Sequence, residues 1–479
     1  MKNNNPSVIV SFVPIAVLVV LLFAVIQAFG SDSLEGGSQV SLLAASAVCV
    51  AIAMLRYGVK WQTLEEAISK NFHSVGSAII MLLLIGSIAG SWMVSGVVPS
   101  LICYGLEIMH PKLFLVSCCA ISAVVSVMTG SSWTTIATIG VALIGIGQAQ
   151  GFDEGWIAGA IISGAYFGDK ISPLSDTTVL ASSSAETPLF THIRYMMITT
   201  VPSFCIALLV FTIVGLTHEI SDPAQIAEFS ASLRATFNIT PWLLIVPLFT
   251  LLLIIRKLPA LITLFSSCLL AGVFLCIFQP EILHNISGAD GFMGAFRGVM
   301  QSYYGSTAIE TGNEALNELV ATNGMAGMLN TVWLIVCAMC FGGVMAGSGM
   351  LANITAFFLR FVRRTVSIVA STVGAGLFCN MCTGDQYLSI ILSSNLFKEL
   401  YRKQGLEPRL LSRSVEDSAT VCSVLIPWNS CGMTQSTVLG VSTFVYFPYC
   451  IFNLISPVMS IFIAALGYKI VKKQPEATE

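Results

Sequence analysis

Apolar runs long enough to cross a bilayer recur along this chain, near residues 7–29, 39–57, 75–95, 155–185, 192–216, 240–256, 259–278, 324–347, 414–438 and 442–467. About 20 apolar residues in a helix span the hydrocarbon core, and inside it every backbone polar group needs a partner within the protein. The sequence therefore predicts an all-α polytopic membrane protein. Composition agrees: 55% of residues are hydrophobic and 10% charged, with a mean hydropathy of +0.85, where a globular domain carries about 25% charged residues. The first run is too long for a signal-peptide core and lacks an A-x-A cleavage site, so it reads as a retained span. A net charge of −3 offers no argument for nucleic acid. Most of the 14 cysteines lie within apolar runs, where they behave as small hydrophobes. Cys379 and Cys382 have metal or redox spacing but no second ligand pair, which favours packing.

Two further apolar regions, 112–149 and 365–399, are interrupted in their middles by Thr129-Gly-Ser-Ser132 and Thr383-Gly-Asp-Gln386. Each reads as two helices meeting at a polar tip, either a re-entrant hairpin or a pair of full spans. Both options return the chain to the side it came from. The shorter runs 97–109 and 350–362 read as interfacial helices. Residues 217–239 read as a polar external linker, and the longer segment 279–323 holds an amphipathic helix at 291–304. Loop charge orients the scheme. Arg56 and Lys60, Arg256 and Lys257, Arg360 with Arg363 and Arg364, Arg402 to Arg413, and Lys469 to Lys473 fall on one side. Asp32, Glu35, Asp153, Glu154 and the acids of the 281–318 loop, Glu310, Glu314 and Glu318 among them, fall on the other. Positive residues mark the cytoplasmic side, which places both termini inside.

The two halves repeat. A shift of 254 residues carries Thr129-Gly130 onto Thr383-Gly384, Pro173 onto Pro427 and Ala165 onto Ala419, and brings Ser95-Gly96 within one residue of Ser348-Gly349. Each half has an odd number of crossings, so the second is expected upside down relative to the first. The expected organisation is a first inverted repeat over 1–216, an external linker over 217–239 and a second repeat over 240–479. Each repeat has about five spans, an interrupted hairpin and a proline-broken helix. Inverted repeats with broken helices at matching positions are the architecture of secondary transporters, with the site near the bilayer midplane.

Chemistry concentrates in Gly164-Ala-Tyr-Phe-Gly-Asp-Lys-Ile-Ser-Pro-Leu-Ser-Asp-Thr-Thr178. Pro173 lies between Asp169 and Asp176 and stops the helix running through. Ionisable groups at membrane depth mark an ion or proton pathway by default. Hard monovalent cations take oxygen ligands, and the four interruptions supply them. The candidates are Thr129, Ser131 and Ser132 at the first tip, and Asp169, Ser172, Ser175, Asp176 and Thr177 at the first break. Asp385 at the second tip and Asn429 at the second break complete the set. A lone buried carboxylate takes up a proton, and an adjacent cation favours the ionised form. Competition between H⁺ and Na⁺ for Asp176, or next for Asp385, is the simplest antiport chemistry. If the breaks converge, these two acids face a shared cavity. Lys170 reads as a structural counter-charge to its neighbour Asp169. Glu416 and Asp417, placed near the cytoplasmic end of their helix, read as partners of Arg409 or Arg413 or as a gate.

No G-x-x-x-x-G-K-[ST] loop and no H-E-x-x-H pair is present, Gly145-Ile-Gly147 with Gly151 misses the dinucleotide spacing, and no histidine lies near the breaks in sequence. The chain reads as a transporter rather than an enzyme. A Na⁺- or H⁺-coupled organic-acid or amino-acid carrier is the alternative within transport. The absence of arginine at the four breaks tilts against a carboxylate substrate there. A channel is the alternative from another class.

The stretches Thr129-Gly-Ser-Ser-Trp-Thr-Thr135, Gly159 to Thr178, His192-Ile-Arg194, Thr383-Gly-Asp-Gln-Tyr-Leu-Ser389 and Ile426-Pro-Trp-Asn429 resemble the NhaC-type sodium/proton antiporter family. The resemblance covers nearly the whole chain and implies an inverted-repeat carrier of the wider ion-transporter group. It implies Na⁺ as a transported ion, with no cofactor, and H⁺ as the exchange partner. The family also includes exchangers of malate for lactate, so a small organic anion is a further candidate partner. A multi-pass bacterial inner-membrane location follows, with membrane lipid around the protein and a homodimer as an open expectation. Cys431 and Gly432 stand where the first repeat has Thr177 and Thr178, so the second break need not hold an ion.

Overall fold

A bilayer offers no water to a freed amide, so a chain this apolar folds as helices wherever it can. The structure, a computed structural model, describes residues 6–29, 36–218, 223–256, 258–312, 316–317, 320–358 and 364–470. Among these residues the only extended pairing is an isolated bridge between Thr307 and Thr322. Eight helices are long and apolar enough to cross a membrane: Val8–Phe29, Gly37–Arg56, Pro111–Thr129, Ser132–Ala149, Leu189–Thr217, Ala260–Phe278, Gly324–Gly347 and Thr365–Thr383. Three bent pairs raise the number to eleven if each is one span. They are Ile79–Val94 with Val97–Ile108 at 68°, Ile226–Thr236 with Pro241–Ile255 at 91°, and Thr443–Tyr449 with Ile451–Leu466 at 55°.

Several expectations meet their elements. Both polar tips separate helices, Phe114–Thr129 from Ser132–Thr135 and Thr365–Thr383 from Gln386–Lys403. The expected amphipathic helix is Gly291–Tyr304. Two expectations change. Residues 217–239 are not a plain linker, because Pro223–Thr236 is helical, with Leu233 buried against the core. The 97–109 run does more than lie on a surface: its helix buries Val97, Val98 and Ile102. The 350–362 run is helical over Met350–Phe358, and 359–363 lie outside the described residues. So do Asp32, Glu35, Glu219, Asp222, Lys257, Glu314, Glu318, Arg360, Arg363, Lys472 and Lys473.

Contacts join several loops across long sequence distances. Ser7 N donates to Tyr57 Oη at 3.3 Å, Asn353 Nδ2 to the Pro6 carbonyl at 2.7 Å and Tyr195 Oη to the Lys469 carbonyl at 3.2 Å, while Lys398 pairs with Glu186 at 2.6 Å. Elsewhere, Arg234 pairs with Glu107 at 2.7 Å, His218 stacks on Phe152 and Gln279 Nε2 donates to the Ser95 carbonyl at 3.4 Å.

The helix Glu154–Ile171 packs along Phe114–Thr129 because glycines on its contact face let the backbones meet. A Cβ at Gly164 would lie 2.1 Å from the Cys119 carbonyl oxygen, and one at Gly168 would lie 2.4 Å from that of Ala123. Small residues at such seams replace the hydrophobic force that lipid removes. The approach also lets Ser126 Oγ donate to the Ala165 carbonyl at 2.5 Å. Gly164→Val is expected to cost about 1–3 kcal/mol or more, read as a lower Tm in detergent. A Tm equal to that of the unmodified chain would show that the two helices are free to separate.

Candidate functional site

The first break follows from Pro173. The helix Glu154–Ile171 ends at Ser172, whose backbone is extended, and a new helix, Asp176–Ser184, starts with Ser175 as its cap. Ser175 Oγ accepts from Thr178 N at 3.4 Å, and Ser172 Oγ donates to the Val127 carbonyl at 2.8 Å. The first tip lies against this break. Thr129 ends its helix, Gly130 turns through φ +66°, and Ser131 caps the next helix by accepting from Thr134 N at 3.2 Å. A left-handed φ suits glycine, and here a Cβ would also meet Leu174 at 2.6 Å. Ser132 N and Oγ both donate to Asp169 Oδ2, at 3.2 and 2.8 Å. Asp169 thus holds the tip to the broken helix.

Positions 254 residues on make the same contacts. Gly384 has φ +66°, and Asp385 caps its helix by accepting from Leu388 N at 2.9 Å. Thr129 Oγ1 lies 3.1 Å from Thr135 Oγ1, and Thr383 Oγ1 lies 3.0 Å from Ser389 Oγ. The Ser126–Ala165 bond has its counterpart in Asn380 Nδ2 donating to the Ala419 carbonyl at 2.7 Å. The Ser132–Asp169 bond has a reversed counterpart, Ser423 Oγ donating to Gln386 Oε1 at 3.2 Å. Ser430 N closes the second tip onto its break by donating to the Gly384 carbonyl at 2.8 Å.

A cavity of about 740 Å³ opens beside the first tip and break. Thr129, Ser131, Asp169, Ser175, Asp176 and Thr177 line it, and the second hairpin contributes Gln386 and Tyr387. Six of the ten expected site residues therefore share one space, with Asp176 the exposed acid and Asp169 the buried one. The other four are buried and engaged in bonding. Ser132 and Ser172 hold the tip and the break as described. Asp385 turns its carboxylate to Leu388 N and, at 3.5 Å, to Ser430 Oγ. Asn429 accepts from Cys431 N at 3.0 Å and donates to Asn380 Oδ1 at 3.2 Å. A second cavity, of about 970 Å³, is lined by Ala89, Met93, Gln148, Glu154, Glu228 and Thr437 among others. The helix Trp61–Val94 runs past both cavities, touching the first with Ser77 and Met81 and the second with Ala89 and Met93.

The charge pairing differs from expectation. Lys170 does not neutralise Asp169; its ammonium pairs with Asp417, both side chains fully buried. Successive helical residues point about 100° apart, so Lys170 faces away from the tip that Asp169 holds. Asp417 Oδ1 also accepts from Thr199 Oγ1 at 3.2 Å and Ser456 Oγ at 3.0 Å. Arg409 pairs with Glu407 instead, while Arg413 Nε comes within 4.0 Å of Asp417 Oδ2. Glu416 is not at a helix end near water. It is fully buried in a π-helical turn, Glu416–Thr420, where its Oε1 accepts from Thr177 Oγ1 at 3.3 Å. That contact sets a third carboxylate beside the cavity wall. No local pattern announces it, since the partners lie 239 positions apart.

A family profile described as the Na+/H+ antiporter family matches residues 2–185 and 164–468. The Na(+)/H(+) antiporter NhaC of Bacillus subtilis is 35% identical over 420 residues, 87% of this chain and 90% of that protein. The malate-2H(+)/Na(+)-lactate antiporter of the same organism is 35% identical over 404 residues, covering 83% of each chain. An arginine/ornithine antiporter, ArcD of Halobacterium salinarum, is 32% identical over 478 residues, 99% of this chain and 95% of that one.

The buried pair yields a prediction. Removing a buried charge leaves its partners uncompensated, at a cost of about 3–5 kcal/mol. Asp417→Leu strands both Lys170 and Arg413 and is expected to lower Tm more than Lys170→Met, which leaves Asp417 beside Arg413. Equal loss in the two variants would mean that Asp417 does not serve both cations.

Proposed function

Because the chain belongs to the Na+/H+ antiporter family, we propose that it exchanges external H⁺ for internal Na⁺ through the cavity beside the first break. It is a secondary transporter and not an enzyme. The observation that carries the reading is one cavity in which two carboxylates, Asp169 and Asp176, meet the hydroxyls of Thr129, Ser131, Ser175 and Thr177. Oxygen ligands of that kind suit Na⁺, and a carboxylate that binds Na⁺ or H⁺ in turn couples the two fluxes. Asp176 is the first candidate for that group, since it faces the cavity with its charge unpaired by any described cation. Asp385 is the second.

The contacts matched at a 254-residue spacing support two repeats, over 1–216 and 240–479, with 217–239 between them. An inverted relation puts the cavity at their interface, as in other carriers with broken helices. The sequence distribution of basic loops, Arg56 and Lys60 and Arg402 to Arg413 among them, supports both termini facing the cytoplasm of a bacterial cell.

A second reading has its own support. A space of about 740 Å³ is on the scale of small-molecule sites, about 300–1,000 Å³, and the relatives include exchangers of organic acids and amino acids by name. A small organic anion or an amino acid is therefore the alternative substrate, carried with Na⁺ or H⁺.

Purified protein in liposomes separates these readings, with sodium and pH gradients imposed separately and malate, lactate, arginine or ornithine added in turn. Na⁺-driven H⁺ movement without any organic solute is expected, and Asp176→Asn should abolish it, because it removes the group for which Na⁺ and H⁺ compete, while the protein still folds. A well-folded Asp176→Asn that exchanges at near-normal rates would make Asp176 structural and pass the role to Asp385.

A further inference from the structure

The two cavities are separated by a barrier built from three strips of helix. On Trp61–Val94 it runs from Met81 to Ala89, a rise of about 12 Å. On Ser132–Ala149 it runs from Thr134 to Val141 and includes the π-helical turn Ile136–Gly140. The third strip is the helix Ser430–Leu439, which leaves the second break at Asn429 and reaches the second cavity at Thr437. This helix packs against the π-helical turn, where a Cβ at Gly140 would lie 3.0 Å from Leu439 Cδ2.

Most of the barrier is apolar, with Leu82, Leu84, Ile85, Ile88 and Ile136 buried. Its hydroxyls are largely bonded back to their own helices: Thr138 to the Thr134 carbonyl at 2.8 Å and Thr434 to the Ser430 carbonyl at 2.6 Å. Gln435 is different. Its side chain is fully buried, and neither Oε1 nor Nε2 has a hydrogen-bond partner among the described residues. Thr134 Oγ1 and Trp133 Nε1, on the hairpin arm packed against the same helix, are buried and unpartnered too, and both residues line the first cavity. Burying an amide with neither end bonded costs a few kcal/mol. The barrier thus carries unpartnered polar groups on two helices that pack together, Ser132–Thr135 and Ser430–Leu439.

We infer that Gln435, with Thr134, is a transit site for a partly dehydrated monovalent cation passing between the two cavities. The inference rests on the proposed Na⁺ transport and adds a site to it. The Gln435 carbonyl and the Thr134 hydroxyl are neutral oxygens. They can replace water on a cation without holding it as a carboxylate would, which a point of passage requires. The charged groups stay at the ends, Asp169 and Asp176 in one cavity and Glu154 and Glu228 in the other.

The test uses the full chain. Gln435→Leu is expected to leave equilibrium binding of radioactive Na⁺ in detergent within about twofold of the unmodified protein, because the first cavity is intact. In liposomes it should slow Na⁺ flux by at least about tenfold, the equivalent of 1.4 kcal/mol on the barrier. Gln435→Asn keeps the amide but withdraws it by one methylene, and Thr134→Val removes the hydroxyl. Both should change the ratio of Na⁺ to Li⁺ flux, a readout that mere loss of packing would not move. Should Gln435→Leu fail to fold, these two milder variants decide the matter by that ratio. Unchanged flux in Gln435→Leu, or an unchanged ratio in both milder variants, overturns the transit site while leaving the transport reading intact. An unmodified protein that neither binds nor moves Na⁺ overturns the transport reading itself.

Discussion

Inside a bilayer a freed backbone group must be met by the protein, and this structure turns on how it meets that demand at four interruptions. The helix that restarts after Pro173 is capped by Ser175, and the helix after the turn at Gly130 is capped by Ser131. Ser132 then ties the tip to Asp169, and Ser430 N ties the other tip to its own break through the Gly384 carbonyl. Each tip and its neighbouring break are therefore one bonded unit. Such a unit can tilt or shift as a body, but separating the tip from the break would strand a carboxylate or an amide in an apolar setting.

The buried charges tie these units together. Lys170, on the first broken helix, and Asp417, on the segment leading to the second break, form a pair that Thr199 and Ser456 complete from two further helices. The loss of hydration on burial is offset only with such added bonds. The same pairing leaves Asp169 to the tip. It also fixes the π-helical turn that carries Glu416, so that Thr177 in the cavity wall can reach Glu416 Oε1. A change at the cavity is thus one hydrogen bond away from the charge cluster that joins the two parts of the chain.

Much of this is legible in the sequence. Apolar length locates most of the spans, because the bilayer imposes it, but the runs 155–185 and 414–438 fold as shorter, interrupted helices that fall outside the spanning set. Thr-Gly at the tips and proline at the breaks are legible because only certain residues tolerate those backbones. Six of the oxygen-bearing residues singled out at the first tip and break line one cavity, while Ser132 and Ser172 turn to bonds within the protein and Asp385 does not join Asp176 there. What is not legible is pairing across long sequence distance. Lys170 sits next to one acid and pairs with another 247 positions away, and nothing local distinguishes the two. Asp385 is a fair candidate by charge alone, yet its backbone position makes it a helix cap first. The 217–239 segment misleads for a different reason: its polarity signals water nearby, and a helix with one buried face, as at Leu233, satisfies that signal as well as a loop does.

The arrangement of cavities limits how any transport cycle could run. Both spaces adjoin the helix Trp61–Val94, whose glycines hold it close to other backbone: a Cβ at Gly86 would lie 2.4 Å from the Gly324 carbonyl oxygen, and one at Gly90 would lie 2.1 Å from that of Ser302. A helix held at that range cannot easily swing alone. In the middle of the hairpin arm Ser132–Ala149, the π-helical turn Ile136–Gly140 interrupts the regular bonding. Such turns are common at functional sites, and this one lies between the Thr134 of one cavity and the Val141 of the other.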